Sequence, residues 1–193
     1  MHHIHHTEGI ILGSRSFGES GKYFYIFTRD LGMIHATASG VRKMTSKLRF
    51  ILQDFAYVKI DLVQGQNVFR VTSASKTNKL EEITKHPATF KIFTNVARLL
   101  RRLLAGVEPN ERLFDEVLHG LSVLEKIEDK KDLHNAEVIM VLRILNNLGY
   151  IGANENIKDL IKSPFDEKII FAVSRSRNHI LREINKALRE THL

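Results

Sequence analysis

The sequence contains no cysteine and no tryptophan among its 193 residues, and only 3 prolines. The lack of cysteine excludes a disulfide framework, a thiolate zinc site and a cysteine nucleophile. It also favours a reducing compartment. Long apolar runs are absent as well, because residues 138–142 are followed at once by charged Arg143, far short of the roughly 20 residues that span a membrane. The N-terminus lacks the apolar stretch of a signal peptide. We therefore expect a cytoplasmic protein with no membrane association.

What the sequence has in excess is positive charge, with a formal net charge of +7 and an isoelectric point near 9.7. Residues 1–79 contain 11 Lys and Arg against 5 Asp and Glu, whereas residues 80–193 contain 18 against 17. A basic protein attracts polyanions, of which nucleic acid is the commonest. The first part of the chain is therefore predicted to contact nucleic acid.

The first part has the alternating and β-branched pattern of strands. Strands are predicted over residues 4–17, 22–28, 33–39, 55–63 and 68–74, with glycine-containing turns between them. A long basic segment, residues 41–54, separates the third strand from the fourth. This pattern is typical of a small five-stranded barrel of the OB type, although an SH3-like barrel has a similar pattern.

The second part has the 3.6-residue period of helices. Helices are predicted over residues 89–105, 111–127, 135–148, 156–161 and 176–190, and the polar segment 75–79 is the predicted boundary. The expected fold class is α+β, with strands first and helices after. An N-terminal OB-type five-stranded barrel (residues 1–79) would be followed by a C-terminal helical domain (residues 80–193).

The order of short motifs resembles the N-terminal barrel of the RecO family of bacterial recombination mediators. These motifs cover residues 8–12, 18–20, 27–32, 38–43, 46–49 and 52–55. In the second part, residues 142–150 end in Leu148-Gly149-Tyr150 and are similar to a helix of that family, as are residues 182–193. Many members carry a four-cysteine zinc site after the Leu-Gly-Tyr motif, but residues 151–166 contain no cysteine. The resemblance thus implies a zinc-free, trimmed version.

The resemblance also implies a function. Members of the family bind single- and double-stranded DNA and anneal complementary strands without ATP. They pair with RecR, contact the tail of single-stranded-DNA-binding protein, and help to load RecA during gap repair. For this chain the resemblance implies the same partners, no enzymatic activity and no cofactor.

The candidate DNA-binding residues cluster in the basic segment. Arg42, Lys43, Lys47 and Arg49 put four cations within eight residues that contain no acid, which suits phosphate binding without sequence preference. Arg15 and Lys22 flank the first hairpin and would extend this track. Tyr25 is predicted to stack on bases, because a phenol tolerates water. The alternative for the basic segment is a solvated loop. The alternative for Tyr25 is that most of the aromatic rings of this strand fill the barrel.

Two arginine clusters in the helical part are weaker candidates for binding an acidic peptide tail. Arg98 and Arg102 share a helix face at a spacing of four, and Arg175, Arg177 and Arg182 form a similar group. The alternative is a solvated helix face in each case.

Three other patterns in the sequence predict no functional site. The histidines at positions 2, 3, 5 and 6 are interrupted by Ile4, and we do not interpret them as a metal site. Residues 17–22 fail the phosphate-loop pattern, since Ser16 and Tyr23 stand where it needs Gly and Ser or Thr. No catalytic spacing stands out. A DNA-binding mediator is therefore the first hypothesis, a protein-interaction adaptor the second, and a metal- or RNA-processing enzyme the third.

Overall fold

The computed structural model describes residues 3–104, 108–155 and 157–191. The strands are β1 (Ile4–Phe17), β2 (Gly21–Thr28), β3 (Gly32–Ala38), β4 (Tyr57–Gln64) and β5 (Phe69–Lys76). The helices are α1 (Leu48–Ile51), which lies between β3 and β4, and then α2 (Pro87–Leu103), α3 (Glu111–Leu124), α4 (Lys130–Asn147), α5 (Lys158–Lys162) and α6 (Glu167–Glu190).

The strands form a closed barrel in the order β1-β2-β3-β5-β4. The β3–β5 pair is parallel and the other pairs are antiparallel. The 14-residue strand β1 closes the barrel because its second half pairs with β2 and its first half with β4. The pairing with β2 shifts register between Ile11 and Gly13, and Gly13 takes a φ of 148°. This strand order, with its long β3–β4 connection, confirms the prediction of an OB-type barrel.

Alternation along β2 decides which rings fill the barrel. Phe24 and Ile26 point inward and are fully buried in the barrel core. Tyr23, Tyr25 and Phe27 therefore lie on the outer face. Phe27 is nevertheless buried, because α3 covers it and its ring lies 5.2 Å from that of Phe114. The rings of β2 thus divide into an inner and an outer set, and one outer ring is buried in a second core.

The barrel and the helices share that second core. It joins Ile10, Leu12, Phe27 and Tyr57 of the barrel to the apolar faces of α2, α3, α4 and α6. The two parts of the chain therefore pack against each other through apolar surface, whose burial contributes roughly 25 cal/mol per Å². Among the described residues, no helix combines the length and the apolar character needed to cross a membrane.

Several predicted element bounds were wrong. Helix α6 begins at Glu167, not at residue 176, because the carboxylate of Asp166 accepts a hydrogen bond from the N–H of Ile169 and caps the helix there. Helix α4 begins at Lys130, not at residue 135, because Asp129 provides the same kind of cap. Strand β5 continues to Lys76, inside the predicted boundary segment. The helix α1 was not predicted. The predicted helix end at residue 105 and the predicted helix start at residue 156 lie outside the described residues.

Candidate nucleic-acid interface

The basic loop, residues 41–54, is attached to one end of the barrel. Gly40 turns the chain out of β3 with a φ of 67°, and the N–H of Arg42 donates to the carbonyl of Ser20 in the β1–β2 turn over 2.8 Å. Val41 and Leu52 are buried in the barrel core. These contacts hold the loop beside the first hairpin, so that its cations have a defined position relative to β2.

The structure brings together only part of the predicted basic track. Arg42, Arg49 and Lys22 line one open groove, whereas Lys43 and Lys47 are exposed outside it. The guanidinium of Arg49 lies 5.7 Å from the ring centroid of Phe50. Within the described residues, none of these five cations makes an ion pair. None of them is neutralised by a carboxylate among the described residues, although Nη1 of Arg49 donates to Sδ of Met44 over 2.6 Å.

A row of rings crosses the outer face of β1, β2 and β3 beside this groove. The guanidinium of Arg15 lies 4.5 Å from the ring centroid of Tyr23, whose own ring is 5.5 Å from that of Tyr25. The β2–β3 register pairs Tyr25 with His35, whose rings lie 5.2 Å apart. We call these residues, together with Arg101 of helix α2, the aromatic strip: Arg15, Tyr23, Tyr25, His35 and Arg101.

Helix α2 completes the strip. The guanidinium of Arg101 lies 3.9 Å from the centroid of Tyr25, at the distance of a stacked cation–π contact. It can come this close because Gly13 has no side chain, and a Cβ there would lie 3.3 Å from Nη1 of Arg101. Arg101 thus occupies one face of Tyr25. Sequence reasoning missed Arg101 and His35 as members of the site, although alternation in β3 places His35 on the outer face.

The chain matches two family models. The model described as recombination protein O N terminal matches residues 1–79, and the one described as recombination protein O C terminal matches residues 88–151. The chain belongs to the RecO family. It is 30% identical to the DNA repair protein RecO of Heliobacterium modesticaldum over 76% of this chain and 52% of that protein. It is 24% identical to the DNA repair protein RecO of Thermoanaerobacter sp. strain X514 over 79% of this chain and 64% of that protein.

The chain spans about half to two thirds of the length of the curated RecO relatives that it matches. The match to both RecO models covers the barrel with its basic loop and also α2, α3 and α4. The curated relatives that it matches carry the name DNA repair protein RecO.

The predicted peptide-binding arginines of this RecO chain have different surroundings. Arg102 donates to the carbonyl of Leu188 over 3.0 Å and to the hydroxyl of Thr191 over 2.8 Å, and so binds the C-terminal end of α6. Arg98 is exposed and shares an open pocket with Tyr25 and His35. Arg102 is therefore bound within its own chain. Binding of an acidic peptide tail by Arg98 and Arg102 stays a prediction.

His5 and His6 lie in β1 of this RecO chain, and His3 directly precedes the strand. Nδ1 of His6 is 2.6 Å from Asp61 on β4, and the rings of His3 and His5 make an edge contact at 4.7 Å. Among the described residues, no group of three or more His, Asp or Glu side chains converges in the manner of a metal site. His2, the first histidine of this cluster, lies outside the described residues.

A polar network joins the barrel to α3. The guanidinium of Arg29 lies 2.6 Å from Asp115 and 3.4 Å from Glu111, and Nε is 3.8 Å from Glu8. The hydroxyl of Tyr57 donates to Glu8 over 2.5 Å. Burial raises the pKa of the Tyr57 phenol, and the hydrogen bond to Glu8 raises it further. This network fixes the barrel against the helices and leaves the aromatic strip on the open side of β2.

The segment after the Leu-Gly-Tyr motif is held by a buried arginine. Nε of Arg143 donates to the carbonyl of Leu160 over 2.9 Å, and Nη2 donates to that of Ser163 over 2.6 Å. Nη1 lies 3.5 Å from Glu116, and the guanidinium is 5.2 Å from the ring centroid of Phe165. Burial lowers the pKa of Arg143, against the opposing effect of Glu116. An arginine thus binds the middle and the C-terminal end of α5, in the segment where many members of the family carry zinc ligands according to the resemblance.

Proposed function

We propose that this chain is a DNA-binding recombination mediator that anneals complementary single strands without ATP. Its proposed partners are single- and double-stranded DNA, RecR, the tail of single-stranded-DNA-binding protein and the RecA pathway, and its proposed location is the cytoplasm. We propose no catalytic residue and no cofactor. The observation that carries the proposal is that basic-loop cations without an ion pair and a row of partly exposed rings meet near the start of β2 on one OB-type barrel.

The two surfaces bind different parts of a nucleotide. Cations of the basic loop neutralise phosphates and release counterions, which gives affinity that is independent of sequence and falls with salt. Rings on a barrel face stack on bases and contribute about 1–3 kcal/mol per base. The β1–β2 register places Lys22 opposite Ser16, one position from the Arg15 and Tyr23 pair. Because successive side chains alternate, Lys22 points to the other side of β2 from Tyr23, and our proposal is that a strand passes around this edge of the barrel from the groove to the strip.

This binding mode is compatible with annealing. Contacts to phosphates and to ring faces leave the Watson–Crick edges of the bases available for a complementary strand. Positive charge lowers the repulsion between two phosphate backbones and raises the local concentration of both strands. Neither effect needs nucleotide hydrolysis, which is the physical reason for proposing an ATP-independent reaction.

The test is fluorescence-anisotropy binding to labelled single-stranded DNA across a salt series. The variant replaces Arg42, Lys43, Lys47 and Arg49 with alanine. A control with the same change of net charge replaces the exposed residues Lys126, Lys130, Lys158 and Lys162 with alanine. The loop variant should lose affinity together with about 0.7 units of salt slope for each lost phosphate contact, and the control should bind as the wild type does.

Two other results are possible, and one would overturn the function and the other only the site assignment. If the wild type barely binds at low salt, the DNA-mediator function is wrong for this chain. If loop variant and wild type bind equally well, the function stands, and the aromatic strip alone becomes the candidate site.

A protein-interaction adaptor is the second candidate, and exposed apolar side chains beside the basic loop favour it. Phe17, Met44 and Phe50 are 51%, 79% and 64% exposed. Exposed apolar groups near one another are a mark of protein contact surfaces. In that case RecR binding should survive neutralisation of the loop cations but fall when Met44 and Phe50 are replaced by serine, as pull-down with purified RecR would show.

A further inference from the structure

Helix α6 presents a line of cations to solvent. The helix has 24 residues and is about 36 Å long. Its buried side carries Ile170, Val173, Ile180, Ile184 and Ala187. On the exposed side, cations recur at spacings of seven, seven, four and three residues, and therefore share one face. We call them the α6 stripe: Lys168, Arg175, Arg182, Lys186 and Arg189.

The stripe borders a groove between α6 and α4. Lys131 and Asn135 come from α4, and Arg175, Arg177 and Arg182 come from α6. Serine, asparagine and histidine complete the lining, so that it includes no carboxylate and no apolar side chain. Among the described residues, none of these four cations makes an ion pair. The groove therefore has positive charge without an internal counter-charge.

Two buried polar atoms in the groove's lining residues are unsatisfied. Nε of Arg177 and Oδ1 of Asn135 are both shielded from solvent and have no hydrogen-bond partner among the described residues. Buried polar atoms normally have partners, and an unpaired one is costly. A ligand oxygen beside Arg177 would supply the missing acceptor. The unpaired N–H of Arg177 is independent of the charge count and points to an anionic ligand, whereas Oδ1 of Asn135 is an acceptor and would need a donor.

The composition of the groove distinguishes between anionic ligands. Acidic peptides are recognised by arginine clusters, and a peptide that docks as an amphipathic helix also needs an apolar groove, which the lining here does not provide. A polynucleotide backbone needs only cations, hydroxyls and amides, which are the side chains that contact phosphate and sugar. The lining residues are of this second kind.

The stripe also leads toward the barrel. The end of α6 is bound by Arg102 through the carbonyl of Leu188, and the neighbouring Arg101 stacks on Tyr25. Arg182 is six residues before Leu188, or about 9 Å along the helix axis. The C-terminal end of α6 therefore lies beside the arginines that border the aromatic strip, whereas the groove at Arg175 and Arg182 is a separate pocket.

We propose that the α6 stripe with Lys131 is a second nucleic-acid site, which holds the backbone of one strand while the barrel holds its complement. The inference rests on the proposed annealing function and adds where the second strand binds. Two sites on one protein convert the meeting of two strands into an encounter at high effective concentration.

The experiment separates strand binding from annealing. The test variant carries Arg175→Glu, Arg182→Glu and Lys186→Glu, and the matched control reverses the exposed cations Lys126, Lys158 and Lys162 to glutamate. Binding of labelled oligonucleotides of about 8 residues is titrated to saturation, because such a length fills a single site. Annealing of two complementary labelled strands is followed by energy transfer. Circular dichroism and thermal melting show whether each variant is folded.

We expect the wild type to bind two short strands per chain and the α6 variant to bind one, with barrel affinity changed by less than about twofold. Annealing by the α6 variant should be at least about tenfold slower, because the second strand is no longer concentrated on the protein. The control should behave as the wild type does. A glutamine version of the three substitutions gives the same comparison if the glutamate variant is unfolded.

Other outcomes overturn the inference. A wild type that binds one short strand with normal barrel affinity, or an α6 variant that anneals at the wild-type rate, removes the second site and leaves the proposed function intact. An α6 variant that loses first-strand affinity as fully as the basic-loop variant would show one continuous track. A wild type that binds no strand would overturn both proposals.

Discussion

Replacing Arg143 with alanine is expected to destabilise this protein strongly, because the arginine is buried and every side of its guanidinium is used. The side chain is 7% exposed, and it binds the carbonyl of Leu160 in the middle of α5 and that of Ser163 just after the helix. Glu116, the carboxylate beside it, is 21% exposed. Alanine would leave two carbonyls without donors, one carboxylate without its cation, and a void beside Phe165.

The expected magnitude follows from these losses. Removal of one partner of a buried ion pair costs about 3–5 kcal/mol, because the other charge is left uncompensated. For a protein of this size, that corresponds to a fall in melting temperature of about 6–20 °C. Arg143→Lys should cost less, about 1–3 kcal/mol, because an ammonium keeps the charge but cannot reach both carbonyls with the geometry of a planar fork.

Urea unfolding followed by circular dichroism measures these changes. Arg112→Ala, on the exposed face of α3, is the matched control and should change the free energy of unfolding by less than about 0.5 kcal/mol. In the double variant Arg143→Ala with Glu116→Gln, the total cost should be smaller than the sum of the single costs, since no charge is left unpaired. A loss below about 1 kcal/mol for Arg143→Ala would refute this account of how α5 is held.

Four smaller predictions follow from other contacts. Asp129→Ala removes the acceptor for two N–H groups of α4 and should cost about 1 kcal/mol in urea unfolding. Arg29→Ala breaks the link from the barrel to α3 and should cost about 1–2 kcal/mol, less in high salt. Because its folded-state pKa is raised, Tyr57 contributes stability that is present below about pH 10 and is lost as the pH rises further. Thermal melts of Tyr57→Phe should therefore depend less on alkaline pH than those of the wild type. Tyr25→Phe should keep DNA affinity within about twofold, whereas Tyr25→Leu should lose about 1–3 kcal/mol in anisotropy titrations if the ring stacks on a base.

The fold was predictable to the extent that it depends on local patterns. The pattern of residues 22–28 predicted strand β2, because a strand shows successive side chains to opposite faces, and the structure then shows that Phe24 and Ile26 form the inward set. The bounds of helices were less predictable. Because Asp166 caps α6 and Ile170 is buried, the helix begins at Glu167, well before its predicted start at residue 176. The sequence offers many candidate caps of this kind that are not used.

The candidate site was predictable in composition but not in assembly. The cations of the basic loop are visible as a run of charge, yet only Arg42 and Arg49 line the groove with Lys22. Tyr25 was predicted to stack on bases, but nothing local to it indicates that Arg101 of α2 covers one of its faces. That contact depends on the packing of the barrel on α2 and on the missing side chain at Gly13.

The sequence by itself determined the order of strands and helices, the concentration of positive charge in residues 1–79, and the family, because these depend on periodicity, composition and motif order along the chain. Only the tertiary structure decided which arginines are available. Arg102 and Arg143 bind carbonyls of their own chain, Arg29 pairs with α3, and the α6 stripe faces solvent. The physical reason is that a guanidinium has the same charge and donors in each place, and its role is set by the partners that long-range packing brings within reach.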